Sequence, residues 1–178
     1  MKTILIIVAV TAVCLVGFGV AYSMVNAANS PLVDTSVASG NALTAAISGQ
    51  VNYPGTYVLT PGATLLDLIT AAQGVNSNAD SLAFNTDYVL ENKGSYYIAP
   101  LFDNGDTCAV SPIAKTNINA DDADTMQAVA GFSKTVANAI VSYRASASFR
   151  AIEEIKNVSG IGAATYEKVK DKITLRAA

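Results

Sequence analysis

The carboxyl-terminal third of the chain repeats itself. Val129-Ala130-Gly131-Phe132-Ser133 lies over Val158-Ser159-Gly160-Ile161-Gly162 at an offset of 29 residues, and the same offset sets Ala123 over Ile152, Met126 over Ile155 and Ile140 over Val169. Each copy reads as an amphipathic helix, a hairpin containing glycine, and a second amphipathic helix. One copy cannot bury its apolar face alone, whereas two related by a pseudo-twofold bury theirs against each other, with "SYRASASF" crossing between them. Glycine costs about 1 kcal/mol in a helix interior relative to alanine, so Gly160 and Gly162 inside "KNVSGIGAATYEKVKDKI" mark a deliberate break between two helices.

A turn that feeds directly into a helix leaves the first N–H groups of that helix without intrahelical partners, and glycine lets a ligand approach them without interference from Cβ. The helix macrodipole adds to the attraction for an anion. Donors on the main chain read phosphate, not bases, and two such hairpins suit the two phosphate strands of a duplex. The candidate contact residues are Gly131, Phe132, Ser133, Lys134 and Thr135 in the first copy. In the second they are Gly160, Ile161, Gly162, Ala163, Ala164, Thr165 and Lys168. Lys168, Lys170 and Lys172 alternate, so they cannot share one helical face, and at most two are expected on the same backbone. An ordinary inter-helix turn is the competing reading, but such a turn has no need to occur twice in equivalent surroundings.

Charge divides the chain in the same sense. Between Tyr22 and Ala114 the one basic residue is Lys93, set against seven acids, whereas from Lys115 onward basic residues outnumber acidic ones. A polyanion would therefore meet the last third of the molecule, although the net charge is −3.

Upstream the signals are of other kinds. "ILIIVAVTAVCLVGFGVAY", Ile4 to Tyr22, contains no charge and approaches the roughly 20 residues that span a bilayer core. A cleaved signal peptide is the alternative, with Val25, Asn26 and Ala27 as a passable cleavage site, but the run exceeds the usual h-region of about 7 to 15 residues. The expectation is a retained anchor with Lys2 on the cytoplasmic side. Cys14 inside the anchor and Cys108 far outside it cannot meet, so no disulfide is expected. Ser23 to Ala42 reads as a juxtamembrane linker.

The segment "AISGQVNYPGTYVLTPGATLLDLITAAQGV" predicts strands at Ile47–Val51 and Tyr57–Leu59, joined by a turn whose Pro54-Gly55 favours type II geometry. A short helix follows, with Leu65, Leu68, Ile69 and Ala72 on one face and Gly74 capping its end. "SYYIA" at Ser95–Ala99 predicts a further strand, and Phe102 to Ala114 a loop or linker turning at Asn104-Gly105. The result is a small α+β module.

The chain has no histidine, no second cysteine near Cys108 and no carboxylate pair placed for acid–base work. No catalytic residue, metal ligand or cofactor is therefore expected. Glu153-Glu154 and the "DDAD" run at Asp121–Asp124 read as helix-surface charges.

The residues from Asn117 to Leu175 resemble the tandem helix-hairpin-helix domain of the ComEA competence proteins. The matching features are the opening "NIN", the "YR" closing the first repeat, Phe149 opening the second, and Val-Ser-Gly-Ile-Gly followed by "KVKDKIT". "SGQVNYPGTYVLTPGATLLDLITAAQGV" with "NKGSYYIAP" is similar to an SLBB domain, a β-grasp module that precedes the DNA-binding part in many members of that family. The family usually carries Leu-Pro-Gly-Ile-Gly in its first hairpin, where this chain has Val129 to Ser133 with a serine in place of the second glycine.

The resemblance implies an α+β chain with a transmembrane anchor (residues 1–22), a linker (23–42), an SLBB-like β-grasp domain (43–103), a second linker (104–116) and an all-α tandem helix-hairpin-helix domain (117–178). It implies a single-pass cell-membrane receptor with its domains outside the cytoplasm. That receptor would bind double-stranded DNA without sequence preference and hand it to DNA-uptake channel proteins in natural transformation. The alternative is a surface scaffold, or a ligand-binding or self-associating protein acting through the SLBB-like domain beside a degenerate helix-hairpin-helix domain. In that case Tyr53, Tyr57, Tyr88, Tyr96 and Tyr97 would line a site, or more simply serve as strand and core residues, and a strand edge could make a homo-oligomer.

Overall fold

The computed structural model describes residues 42–103 and 111–176. The expected anchor, nearly all of the first linker, both cysteines and the Asn104-Gly105 turn lie outside the described residues. Among the described residues no helix is long and apolar enough to cross a membrane.

Alternation builds the first module. In β1 (Leu43–Gly49) the odd positions Leu43, Ala45 and Ile47 are buried, which places them on one face of the sheet. β1 pairs antiparallel with β2 (Gly55–Leu59) and parallel with β3 (Gly94–Ile98), giving the order β2-β1-β3. A parallel neighbour requires a crossover, and α1 (Leu65–Ala71) lies within it. The helix buries Leu65, Leu68 and Ile69, with Ala72 just beyond, as its period demands. Its start is closed by the Thr64 N–H donating to the Asp67 carboxylate at 2.7 Å. Its end is closed by the Gly74 N–H donating to Ile69 O at 2.8 Å and the Gln73 N–H to Thr70 O at 3.0 Å, so Gln73 (φ 59) shares the left-handed role with Gly74.

The type II turn falls at the other Pro-Gly pair. Gly62 has φ +83 and the Ala63 N–H donates to Thr60 O at 3.1 Å, whereas Gly55 keeps a negative φ and opens β2. The Pro54-Gly55 expectation fails because β2 begins at the glycine and needs extended backbone there. The neighbouring tyrosines Tyr96 and Tyr97 point to opposite faces of β3: Tyr96 enters the core under α1, and Tyr97 packs against the helical core of the second module.

Residues placed by sequence within a linker turn out to be structured. β4 (Phe102–Asp103) pairs antiparallel with β5 (Ser111–Pro112), and Lys115 forms a shielded ion pair with buried Asp80 at 2.6 Å. β6 (Thr116–Asn117) then pairs in parallel with β7 (Ile173–Thr174), tying the start of the repeat to its end. The carboxyl-terminal part is therefore not all-α. Strands of two residues are too short to show a period, so no sequence pattern announces them.

The repeat itself consists of α2 (Ala123–Ala130), α3 (Lys134–Arg144), a 3-10 helix (Ile152–Asn157) and α4 (Ala163–Val169). The expected first α-helix of the second copy is the 3-10 helix. Three residues per turn stack Ile152 over Ile155, and both are buried. Equivalent positions share their burial: Met126 with Ile155, Phe132 with Ile161, Ala137 with Tyr166, and Ile140 with Val169.

The residues that carry the family resemblance do structural work here. Asn119 accepts the Phe149 N–H at 2.8 Å and donates to Phe149 O at 2.9 Å and Leu175 O at 3.0 Å. The Arg144 guanidinium donates to Ile118 O at 2.9 Å, and Tyr143 stacks on Phe149 with centroids 4.9 Å apart. The "DDAD" acids close local turns. Asp122 caps α2 by accepting the Thr125 N–H at 2.7 Å, which holds its carboxyl below the usual range, and Asp121 accepts from the Thr116 hydroxyl and the Asn117 N–H.

Candidate nucleic-acid interface

Each hairpin presents the same arrangement: a left-handed glycine, a buried apolar residue and an exposed residue that begins the next helix. In the first, Gly131 has φ 79, Phe132 is 5 % exposed and Ser133 is exposed as the N-cap of α3. In the second, Gly160 has φ 90, Ile161 is 5 % exposed and Gly162 is the exposed N-cap of α4. The side chains of Phe132 and Ile161 point into the core, and the Ile161 N–H already donates to Val158 O at 3.1 Å, so Phe132 can offer a ligand only its backbone and Ile161 has no donor to offer. Burying them anchors each turn to the repeat core while its outer surface stays open.

The two glycines of the second hairpin serve different ends. Gly160 needs its identity for the fold, since φ 90 strains any L side chain and an added Cβ would lie 3.2 Å from Val136 Cγ2. That contact also sets the tip of the second hairpin against the first turn of α3, so the candidate residues of both copies converge on one region. Gly162 has an ordinary extended backbone (φ −94, ψ −178), and an added Cβ would meet nothing within 4 Å. The fold does not require glycine there. What its absent side chain leaves open is the start of α4.

That start is unoccupied by protein groups. Among the described residues no side chain caps α4, and no acceptor meets the backbone N–H of Ala163, Ala164 or Thr165. Ala163 and Ala164 are exposed and Thr165 half-buried. In the first copy the Ser133 hydroxyl accepts the Val136 N–H at 3.3 Å, which leaves Lys134 and Thr135 with free N–H groups. The serine that replaces glycine therefore uses up one of three donors, while its own O–H remains available to donate outward. Lys134 and Thr135 are exposed beside it.

The basic residues sort by what else they do. Lys115 is paired with Asp80, Arg144 holds the Ile118 carbonyl, and Arg176 donates to Ser81 O and Phe84 O in the first module. Lys170 pairs with Glu167 and sits 4.2 Å over the Tyr97 ring. Lys168 lies on the surface of α4, about 7.5 Å along the axis from Ala163 at 1.5 Å per residue. Lys134, Lys168 and Lys172 are exposed, as is Arg150.

Glu153 departs from the surface reading made from sequence. Its Oε1 accepts the Tyr97 N–H at 2.7 Å and the Tyr166 hydroxyl at 3.2 Å. Burial pushes its carboxyl above the ordinary range, against the pull of the Tyr97 N–H and of nearby Lys156. Burial likewise raises Tyr97 and Tyr166, helped by the facing carboxylates Asp171 and Glu153 respectively. No sequence signal marks this seam between modules, because its partners are 56 and 74 residues from Tyr97. The five tyrosines do not line one pocket: Tyr57 and Tyr96 are core residues, Tyr53 is 46 % exposed, Tyr88 packs edge-on against Tyr96, and Tyr97 joins the seam. Among the described residues no cluster of three or more Cys, Asp or Glu could hold a metal ion.

Comparison with known proteins agrees with this anatomy. The helix-hairpin-helix motif family matches residues 111–174, and the SLBB domain family matches residues 44–85. The chain is 31 % identical over 143 residues to ComE operon protein 1 of Bacillus subtilis (strain 168), covering 73 % of this chain and 68 % of that protein.

Proposed function

The chain belongs to the family of ComE operon protein 1, the ComEA competence proteins, and on that premise we propose that it is a membrane-tethered receptor for duplex DNA. Its role is binding in competence, and the family points away from catalysis. In our reading residues 1–22 anchor the chain, residues 43–103 form the β-grasp module outside the cytoplasm, and residues 117–178 grip DNA without sequence preference and pass it to an uptake channel. One observation carries the reading: three unpartnered N–H groups at Ala163, Ala164 and Thr165 lie behind a glycine that the fold itself does not need. A phosphate oxygen is the ligand such a group of donors suits. The acidic β-grasp surface would repel the duplex and so favour the hairpin face.

One experiment tests anchor and grip together. Membranes from a host expressing the full-length chain are washed with alkaline carbonate and used to pull down labelled duplexes of unrelated sequence across a salt series. The chain stays in the pellet, all duplexes bind alike, and about four neutralised phosphates give a log–log salt slope near −3.6. Capture indifferent to salt overturns the backbone mode, and release of the chain by the wash overturns the anchor.

A second use of the β-grasp module is self-association. β2 is an edge strand with Val58 43 % exposed, which supports pairing with a second copy and clustering along DNA. Light scattering of the full-length chain in detergent then gives a mass above one chain, and a monomer at all concentrations, with or without DNA, rules the clustering out.

A further inference from the structure

Tyr97 of the β-grasp module contacts the residues just past the C-terminal end of α4 directly and the middle of that helix through Glu153. Its N–H donates to Glu153, which also accepts from Tyr166, and the Tyr166 N–H makes the first hydrogen bond of α4, to Gly162 O at 3.0 Å. Just past the C-terminal end of α4, the Tyr97 hydroxyl donates to Asp171 Oδ1 at 2.7 Å and its ring lies under the Lys170 ammonium. Lys156 covers the outer face of the Tyr166 ring at 4.7 Å. A helix of seven residues has little intrinsic stability, so its direction is set by what it packs against.

We propose that Tyr97 is a positioning residue for DNA binding, through which the β-grasp module fixes the direction in which the Ala163, Ala164 and Thr165 N–H groups point. The inference rests on the proposed reading of these groups as a phosphate site. Hydrogen bonds weaken steeply with misalignment, so a small rotation of α4 is enough to spoil donors that must converge on one phosphate while the first hairpin holds another. The β-grasp module is then part of the binding machinery without touching the nucleic acid.

A double-mutant cycle on the full-length chain separates positioning from plain stability. Tyr97→Ala weakens duplex binding about five-fold, although it changes no charge and Lys170 stays paired with Glu167. In a Gly162→Val background, where the second site is already blocked, the same change costs less than about two-fold, whereas it keeps its full effect beside Lys134→Ala on the first hairpin. Tyr97→Phe loses only the Asp171 bond and restores most of the affinity. Equal losses in every background overturn the positioning role. If Gly162→Val itself binds like the parent, the reading of the hairpin beneath it fails instead. Where Tyr97→Ala does not fold, Tyr97→Leu, which keeps the backbone bond to Glu153 and an apolar side chain in the seam, carries the test: it shifts the amide resonances of residues 163–165 with no DNA present, and unshifted amides overturn the inference.

Discussion

Gly162→Val weakens duplex binding roughly thirty-fold and leaves the fold nearly as stable as before. The side chain of an N-cap residue lies over the N–H groups of the second and third helical positions, here Ala164 and Thr165. Valine places an apolar branch where a phosphate oxygen has to sit, and losing charge-assisted hydrogen bonds worth about 2 kcal/mol corresponds to that factor. The backbone at φ −94, ψ −178 accommodates a β-branched residue, and the space around an added Cβ is empty, so only the poorer capping of valine weighs on stability, by under about 1 kcal/mol. Gly160→Val behaves in the opposite way. A β-branched residue at φ 90, pressed against Val136, destabilises the hairpin by about 2–3 kcal/mol, visible as a lowered urea midpoint. Competition binding and urea melts on the two variants check the pair. Unchanged affinity in Gly162→Val would remove α4 from the binding surface.

The second large effect belongs to Glu153. Glu153→Leu strands the Tyr97 N–H and the Tyr166 hydroxyl in a half-buried seam and lowers stability by about 2 kcal/mol. Glu153→Gln keeps an acceptor oxygen for both donors and removes the half-buried charge. Because the carboxyl of the folded protein is raised above its ordinary value of 4.5, the native state holds its proton more tightly than the unfolded chain does. The contribution of Glu153 is therefore full below about pH 4 and declines as pH rises through the raised value. Relative to the parent, the Gln variant gains stability from pH 4 toward pH 8, measured by urea unfolding at several pH values. A gain in the reverse direction would mean that Lys156 and the two donors outweigh burial.

The repeat was legible because it is local chemistry written twice. Apolar spacing placed Met126, Ile140, Ile155 and Val169 in one core, and all four are buried there. The same logic found the three strands and the helix of the β-grasp module in their order, since alternation and helical period record which side of an element faces inward. The candidate site was legible to the level of the hairpin, not of the residue. Phe132 and Ile161 were grouped with the contacts, but each is the peg that holds its turn to the core. Gly160 and Gly162 carry the same letter for opposite reasons, one answering to a left-handed backbone and the other to open space.

Sequence alone determined the three strands and the helix of the β-grasp module and their order, the helical repetition of the last third, and the place where main-chain donors would be exposed. Each of these depends on interactions within a few residues, and such interactions leave a period or a turn signature. Tertiary structure alone decided that the stretch before the repeat carries paired strands, that Arg144 and Lys115 are spent on internal contacts, and that Tyr97 and Glu153 join the modules. Those partners lie tens of residues apart, and a pairing at that distance has no period. It exists once the chain has folded, when burial makes an unpartnered N–H or carboxylate too costly to leave alone.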